Sequence, residues 1–317
     1  MKKSFFLFGV LLIFLVAGCK NQQGKRVSSQ NQYESDSVLT VVNWNIEWFG
    51  ATRNGPVDKK LQETNVFKVL KYLHADIYGL CEIVNIASFR DLIKSMGPDY
   101  DFAVSDYASG ANSTHAHYYA SAQKMAFVYN KNVFTNVSTS GFLRDNSAAG
   151  HNFSNGRYPY LLRADVTKNG ITKNICFFLV HAKSGSDKTS YIRRVNASNE
   201  LKAALDKDFA QTPLMIFGDL NDELKGSVSS EKESSYQNFI QDDNYVGITL
   251  AVQKSGAQST IDYPTVIDHQ IISKQLNKMY VPHSARIRTD ITEVVPDFTS
   301  GNTSDHYPIS SEFLFSK

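Results

Sequence analysis

Apolar residues along this chain gather into short runs rich in Val, Ile, Phe and Tyr, separated by stretches with helical periodicity. The runs fall at 38–46, 76–82, 124–130, 160–166, 174–181, 213–218, 265–272 and 308–315, each about the length of a strand. Between them, Leu61, Phe67, Leu70 and Leu73 mark one face of a helix ending near His74. Ile192, Val195, Leu201, Ala204 and Leu205 mark a second helix over about 190–209. Strands mixed with helices predict a single α/β domain, with sheet layers inside and helices outside. From Val38 onward no linker, repeat or low-complexity tract interrupts the pattern.

The first residues follow another logic. Lys2 and Lys3 precede an apolar run from Phe5 to Val16, which is shorter than the roughly 20 residues a membrane span needs. The run closes on Leu15-Val16-Ala17-Gly18-Cys19 and resembles the lipobox of bacterial lipoproteins. That resemblance implies a signal peptide over 1–18 and lipidation of Cys19. It also implies an exported protein held at a bacterial membrane by its lipid alone. Lys20 is compatible with the outer membrane, facing the periplasm or the surface. Residues 19–37 are nearly all polar and suit a flexible tether, which leaves the folded domain at 38–317.

Charge then narrows the partners. The chain carries 33 basic and 31 acidic residues, and loss of Lys2 and Lys3 with the leader makes the balance even. No global attraction to polyanions follows, so any such binding depends on local clusters. Cys81 and Cys176 both lie in apolar runs. Buried free thiols are the commoner outcome for such a pair, and one disulfide is the other.

Polar side chains concentrate where apolar strands end. Six stretches stand out: Asn45-Ile-Glu47, Leu80-Cys-Glu82, His181-Ala-Lys-Ser184, Gly218-Asp-Leu-Asn-Asp222, Ile267-Asp-His269 and Ser304-Asp-His306. Alone, each carboxylate reads as a cap or a solvated turn, and each histidine as a structural one. Together, Asn45, Glu82, Asp219, Asn221 and Asp305, with two or three imidazoles, supply what magnesium-assisted phosphoester hydrolysis needs. Zinc-type spacing, a Gly-rich phosphate loop and a Gly-x-Ser-x-Gly elbow are all missing from the sequence.

In this order the six stretches resemble the endonuclease/exonuclease/phosphatase family, over about residues 41–313. Pancreatic-type deoxyribonuclease, apurinic-site endonucleases, neutral sphingomyelinases and inositol polyphosphate 5-phosphatases belong to it. The resemblance implies a four-layer α/β/β/α sandwich of two mixed sheets, with a site at one end between them. It implies that Asn45 and Glu82, assisted by Asp305, hold a divalent cation: Mg2+, with Mn2+ or Ca2+ as alternatives. Asp219 and Asn221 match the pair that orients water and phosphate. His306 matches the histidine at the phosphate, and Asp268 the carboxylate that holds it. His181 matches a second catalytic histidine, and Arg157 falls where an arginine often contacts phosphate.

The chain departs from the deoxyribonuclease branch at Gln123, where a glutamate pairs with the second histidine. An amide there is expected to orient His181 without stabilising its charged form. The expected activity is phosphodiester hydrolysis, with nucleic acid as substrate and no obligate protein partner. Lys183, Arg193 and Arg194 are candidates for the nucleic-acid backbone, and the His115-Ala-His117-Tyr118-Tyr119 loop for base stacking. A hydrolase of small or lipid phosphoesters (phosphatase, sphingomyelinase or inositol-phosphatase type) is the alternative. A non-catalytic binding module is the third reading.

Overall fold

The structure, a computed structural model, describes residues 35–316 apart from 232. The expected leader, Cys19 and residues 20–34 of the tether lie outside the described residues. Ser35–Ser37 form a short 3-10 turn, and the Ser37 carbonyl accepts a bond from Phe315 N at 2.8 Å.

The chain runs through β1 (Val38–Phe49), α1 (Lys59–Leu73), β2 (Ile77–Ile83), α2 (Ile86–Met96), β3 (Tyr100–Val104), β4 (Lys124–Asn130) and β5 (Phe134–Gly141). It continues with α3 (Ser147–Asn152), β6 (Tyr160–Lys168), β7 (Ile171–His181), α4 (Lys188–Asp208) and β8 (Leu214–Asp219). After a loop-rich stretch come β9 (Tyr245–Gly247), β10 (Asp268–Ser273), β11 (Arg286–Ile287) and β12 (Ile309–Leu314). Two six-stranded sheets result, ordered β11-β12-β1-β2-β4-β3 and β5-β6-β7-β8-β10-β9. Both are mixed: β1–β2 and β7–β8 are parallel and the other pairings antiparallel.

Strand alternation builds the layers. Val41, Ile77, Phe127, Leu162, Phe177 and Phe217 face the space between the sheets and form one core. Val42, Trp44, Tyr78 and Leu80 point the other way and pack beneath α1 and α2. Phe178, Val180 and Ile216 pack beneath α4. The architecture is the four-layer α/β/β/α sandwich expected. At Gly79 an added Cβ would lie 2.6 Å from the Phe217 ring, so the sheets meet there only because that side chain is missing.

Both anticipated helices form, but their buried faces differ from the apolar pattern. In α1 the inward residues include Gln62 and Asn65, while Leu61 is exposed. In α4 Arg194 and Ser198 are buried and Ile192 is exposed. Asp58 and Asp187 start these helices by accepting from Leu61 N and Ser190 N. Cys81 and Cys176 are buried free thiols.

Candidate active site

The inward alternation turns from apolar to polar at one end of the intersheet layer. On β1 it passes from Val41 to Asn43 and Asn45; on β7, from Leu179 to His181; on β8, from Phe217 to Asp219. Pairing of β7, β8 and β10 sets His181 beside Asp219 and Asp219 beside Asp268. Three titratable groups therefore stand in one row.

Glu82 would miss this row if β2 were regular, because the period of two points it with Leu80 towards the helices. The ladder shifts between Cys81 and Ile83, and Glu82 adopts φ 70°. The adjacent strand shifts between Asn45 and Phe49, with Glu47 at φ 42° and Trp48 at φ 47°. The β2 bulge re-aims the Glu82 carboxylate into the site. Glu82 Oε2 accepts from Trp48 N at 2.9 Å, while Asn45 Nδ2 donates to Glu82 Oε1 at 3.1 Å and to Asp219 Oδ2 at 3.0 Å.

The loop before β12 carries the last histidine. Trp44 Nε1 donates to the His306 carbonyl at 2.8 Å, and Ser304 Oγ donates to the Asn45 carbonyl at 2.6 Å. His306 Nδ1 lies 2.7 Å from Asp268 Oδ2, and its Nε2 lies 4.0 Å from Asp219 Oδ2. Asp305 is half-exposed at the rim, 3.8 Å from His306 Nε2. Asn221, at φ 52°, donates its backbone N–H to Asp219 Oδ1 at 3.0 Å and its Nδ2 to the Ala182 carbonyl at 3.3 Å. Gly218, at φ 130°, admits the turn: a Cβ would lie 2.2 Å from the Val180 carbonyl.

Burial works against a charged His306, yet Asp268, followed by Asp219 and Asp305, outweighs it and holds the imidazole well above its usual pKa. His181 behaves oppositely. Its Nε2 is 3.6 Å from both Glu82 Oε1 and Asp219 Oδ2, and its buried Nδ1 has no hydrogen-bond partner. Burial, then the positive charges of Arg157 and His306, hold its pKa well below the usual value, so the ring is neutral near pH 7. Burial also pushes up Asp219 and Glu82, and raises Glu47 to about 7 with help from Asp305. Glu47 is a site residue to which no role was given in advance, although the period of two already sets it on the face of Asn43 and Asn45.

This donor set suits a hard cation. Asp219, Asp268 and His306 each offer a ligand atom within 4.8 Å of the others, so the group could hold a metal ion. The His306–Asp268 bond already joins two of those residues. Glu82, Asp219 and Asn45 add further oxygens, the Asn45 amide presenting oxygen or nitrogen according to its rotation, and Glu47 Oε2 and Asp268 Oδ1 are buried without a hydrogen-bond partner. Carboxylates crowded round one amide, with pKa values raised by burial, are short of positive charge.

The expectations for Gln123, Arg193 and Arg194 are corrected. Gln123 makes no hydrogen bond to His181: its Oε1 accepts from Arg157 Nη1 at 2.7 Å. Arg157 is buried, with Nη2 donating to Ser154 Oγ at 3.0 Å and to the Ala182 carbonyl at 2.8 Å. Arg193 is tied to the His151 carbonyl and to Asn155 Oδ1. Arg194 is fully buried and cannot meet a nucleic-acid backbone. Its Nη1 donates to the carbonyls of Lys183 and Gly185 at 3.0 and 2.7 Å, and its Nε lies 3.5 Å from Asp222. The apolar periodicity of α4 hid this inward charge. His269 is also structural, held between Thr249 Oγ1 at 2.9 Å and the Val266 carbonyl at 2.7 Å. Tyr119 is buried, while His117 and Tyr118 stay exposed.

Arg194 joins the segment after His181 to the segment after Asp219. Arg194→Met is expected to cost about 3–5 kcal/mol, because it leaves the Asp222 carboxylate buried without its cation. Urea unfolding measures this; a loss below about 1 kcal/mol would mean the pair is not a structural lock.

A family model described as the Endonuclease/Exonuclease/phosphatase family matches residues 50–294. The chain belongs to this family. Its members are metal-dependent phosphoesterases, and the chain is a phosphoesterase enzyme. No curated protein matches by sequence. Among solved structures, the human Nocturnin catalytic domain with bound sulfate is 16% identical at TM-score 0.59, covering 88% of this chain and 94% of that one. A Bacteroides vulgatus member of the family is 14% identical at TM-score 0.59, covering 88% and 100%. The Bacteroides thetaiotaomicron mannosyl-6-phosphatase is 15% identical at TM-score 0.55, covering 87% and 100%. At such identity these neighbours speak for the fold alone.

Proposed function

We propose that this phosphoesterase is a divalent-metal-dependent phosphodiester hydrolase acting on nucleic acid by water attack at phosphorus. The reading is carried by the buried convergence of Asn45, Glu82, Asp219, Asp268 and His306 at one end of the sheets. In it, Glu82, Asn45 and Asp219 hold the cation with Asp305 nearby. Mg2+ is the first choice, and it supplies Lewis-acid neutralisation of the phosphoryl charge. Asp219, held by Asn221 N–H, takes the proton from the attacking water. Asp268 accepts from His306 Nδ1–H, so that Nε2–H of the cationic ring faces a phosphoryl oxygen. Neutral His181 serves as a hydrogen-bond donor, and Arg157 adds a buried positive charge.

Two exposed tyrosines support a nucleic-acid strand. Tyr118 lies on the loop that ends at Gln123 and thus abuts Arg157. Tyr263 lies on the loop whose Ile261 N donates to the Asp305 carbonyl at 2.8 Å. Such faces can stack on unpaired bases. A second reading, hydrolysis of a small phosphoester, is favoured by the internal use of Arg193 and Arg194, which leaves the anticipated backbone track weak. Export and lipid anchorage through Cys19 belong to the proposal on the pattern of residues 1–19 alone.

The test is a panel of plasmid DNA, RNA, sphingomyelin, inositol phosphates, a sugar phosphate and a bis-aryl phosphodiester, each with and without chelator. Nicking of plasmid and cleavage of the bis-aryl ester are expected, abolished by EDTA and restored by Mg2+. Cleavage confined to headgroups or sugar phosphates would replace the lead reading with the second. Cleavage of nothing would leave a binding module.

A further inference from the structure

Arg157 is a buried guanidinium whose hydrogen-bonded partners are all neutral: Gln123 Oε1, Ser154 Oγ and the Ala182 carbonyl. Its Nε is buried with no partner. Glu82 and Asp219 act on it through space, and among the described residues it closes no ion pair. A buried cation left in this state is normally costly and signals an anionic ligand. The partner that fixes Nη1 is itself well anchored. Lys124, the next residue, holds the carbonyls of Tyr119 and Ala122 at 2.7 and 2.8 Å and so fixes the loop that ends at Gln123.

We propose that Gln123 is a positioning residue that holds Arg157 without neutralising it, so that the whole guanidinium charge is directed at the substrate's phosphate. The proposal rests on the phosphoester hydrolase reading. A glutamate at this position would keep the same reach and the same hydrogen bond, but would cancel the charge. The choice of amide over carboxylate therefore sets the electrostatic potential that the phosphoryl group meets. A potential acts in proportion to ligand charge, whereas a merely structural role would affect all phosphate ligands alike.

The experiment is calorimetric titration of inorganic phosphate and of dimethyl phosphate at pH 8 with Mg2+ present, on the natural chain, Gln123→Glu and Gln123→Met. The first ligand is mainly doubly charged and the second singly charged. Gln123→Glu is expected to weaken phosphate about tenfold and dimethyl phosphate about threefold. Gln123→Met removes the tether without adding charge, so it should weaken both by a similar factor and leave their ratio unchanged. Equal weakening of the two ligands by Gln123→Glu, or a ratio collapsed as far by Gln123→Met, would overturn the proposal. So would immeasurable phosphate binding by the natural chain. Hydrolysis plays no part here: a chain that cleaved no phosphoester would defeat the functional reading, and these affinities would still judge Gln123.

Discussion

His306→Ala is expected to lower turnover roughly 10³-fold with the fold retained, because the change removes the proton donor that Asp268 orients towards the phosphoryl group. The rate should be read at saturating substrate and Mg2+, beside a circular dichroism spectrum. His181→Ala should cost about tenfold, since a neutral ring with an unpartnered Nδ1 contributes a hydrogen bond and no charge. Reversal of that order would show that His181, not His306, carries the proton. Stability should also respond to pH. The folded ring's pKa lies above its ordinary value of about 6.5, so the pair's stabilising contribution is complete below that value. It fades as pH rises through the folded pKa. The gap in unfolding free energy between the natural chain and His306→Ala should therefore be widest on the mildly acidic side and narrow in alkali.

Asp219→Asn should produce a loss of similar size or larger, about 10³–10⁴-fold in kcat. Two effects combine. The amide cannot accept a proton from water, and its NH2 would oppose the Asn45 Nδ2 that now donates to Asp219 Oδ2. Mg2+ binding, followed by titration, should weaken by about tenfold at the same time. A variant that kept more than a tenth of the natural kcat would exclude Asp219 as the base.

Much of this site was legible because strand alternation is a strict rule. A run such as Phe177-Phe-Leu-Val-His181 states which face its last residue shares, so the row His181, Asp219 and Asp268 follows from pattern and pairing. Bulges broke the legibility, since nothing in Leu80-Cys-Glu82 announces φ 70° at Glu82. Helices misled in a second way. Periodicity seeks apolar residues, whereas α1 and α4 turn Gln62, Asn65 and Arg194 inward to brace the site loops. Gln62 Nε2 alone donates to the carbonyls of Ile46 and Glu47, at 3.0 and 2.7 Å. Edge strands were missed for a third reason: β5, Phe-Thr-Asn-Val-Ser-Thr-Ser-Gly, is mostly exposed and reads as a loop.

The left-handed residues Glu47, Trp48, Glu82 and Asn221 all border the site. Each such geometry costs of order 1 kcal/mol or more for a residue with a side chain, and glycine would relieve it. Selection for heat resistance alone would thus favour swaps that erase side chains of the site, the Glu82 carboxylate among them. At these positions durability and turnover pull the sequence in opposite directions.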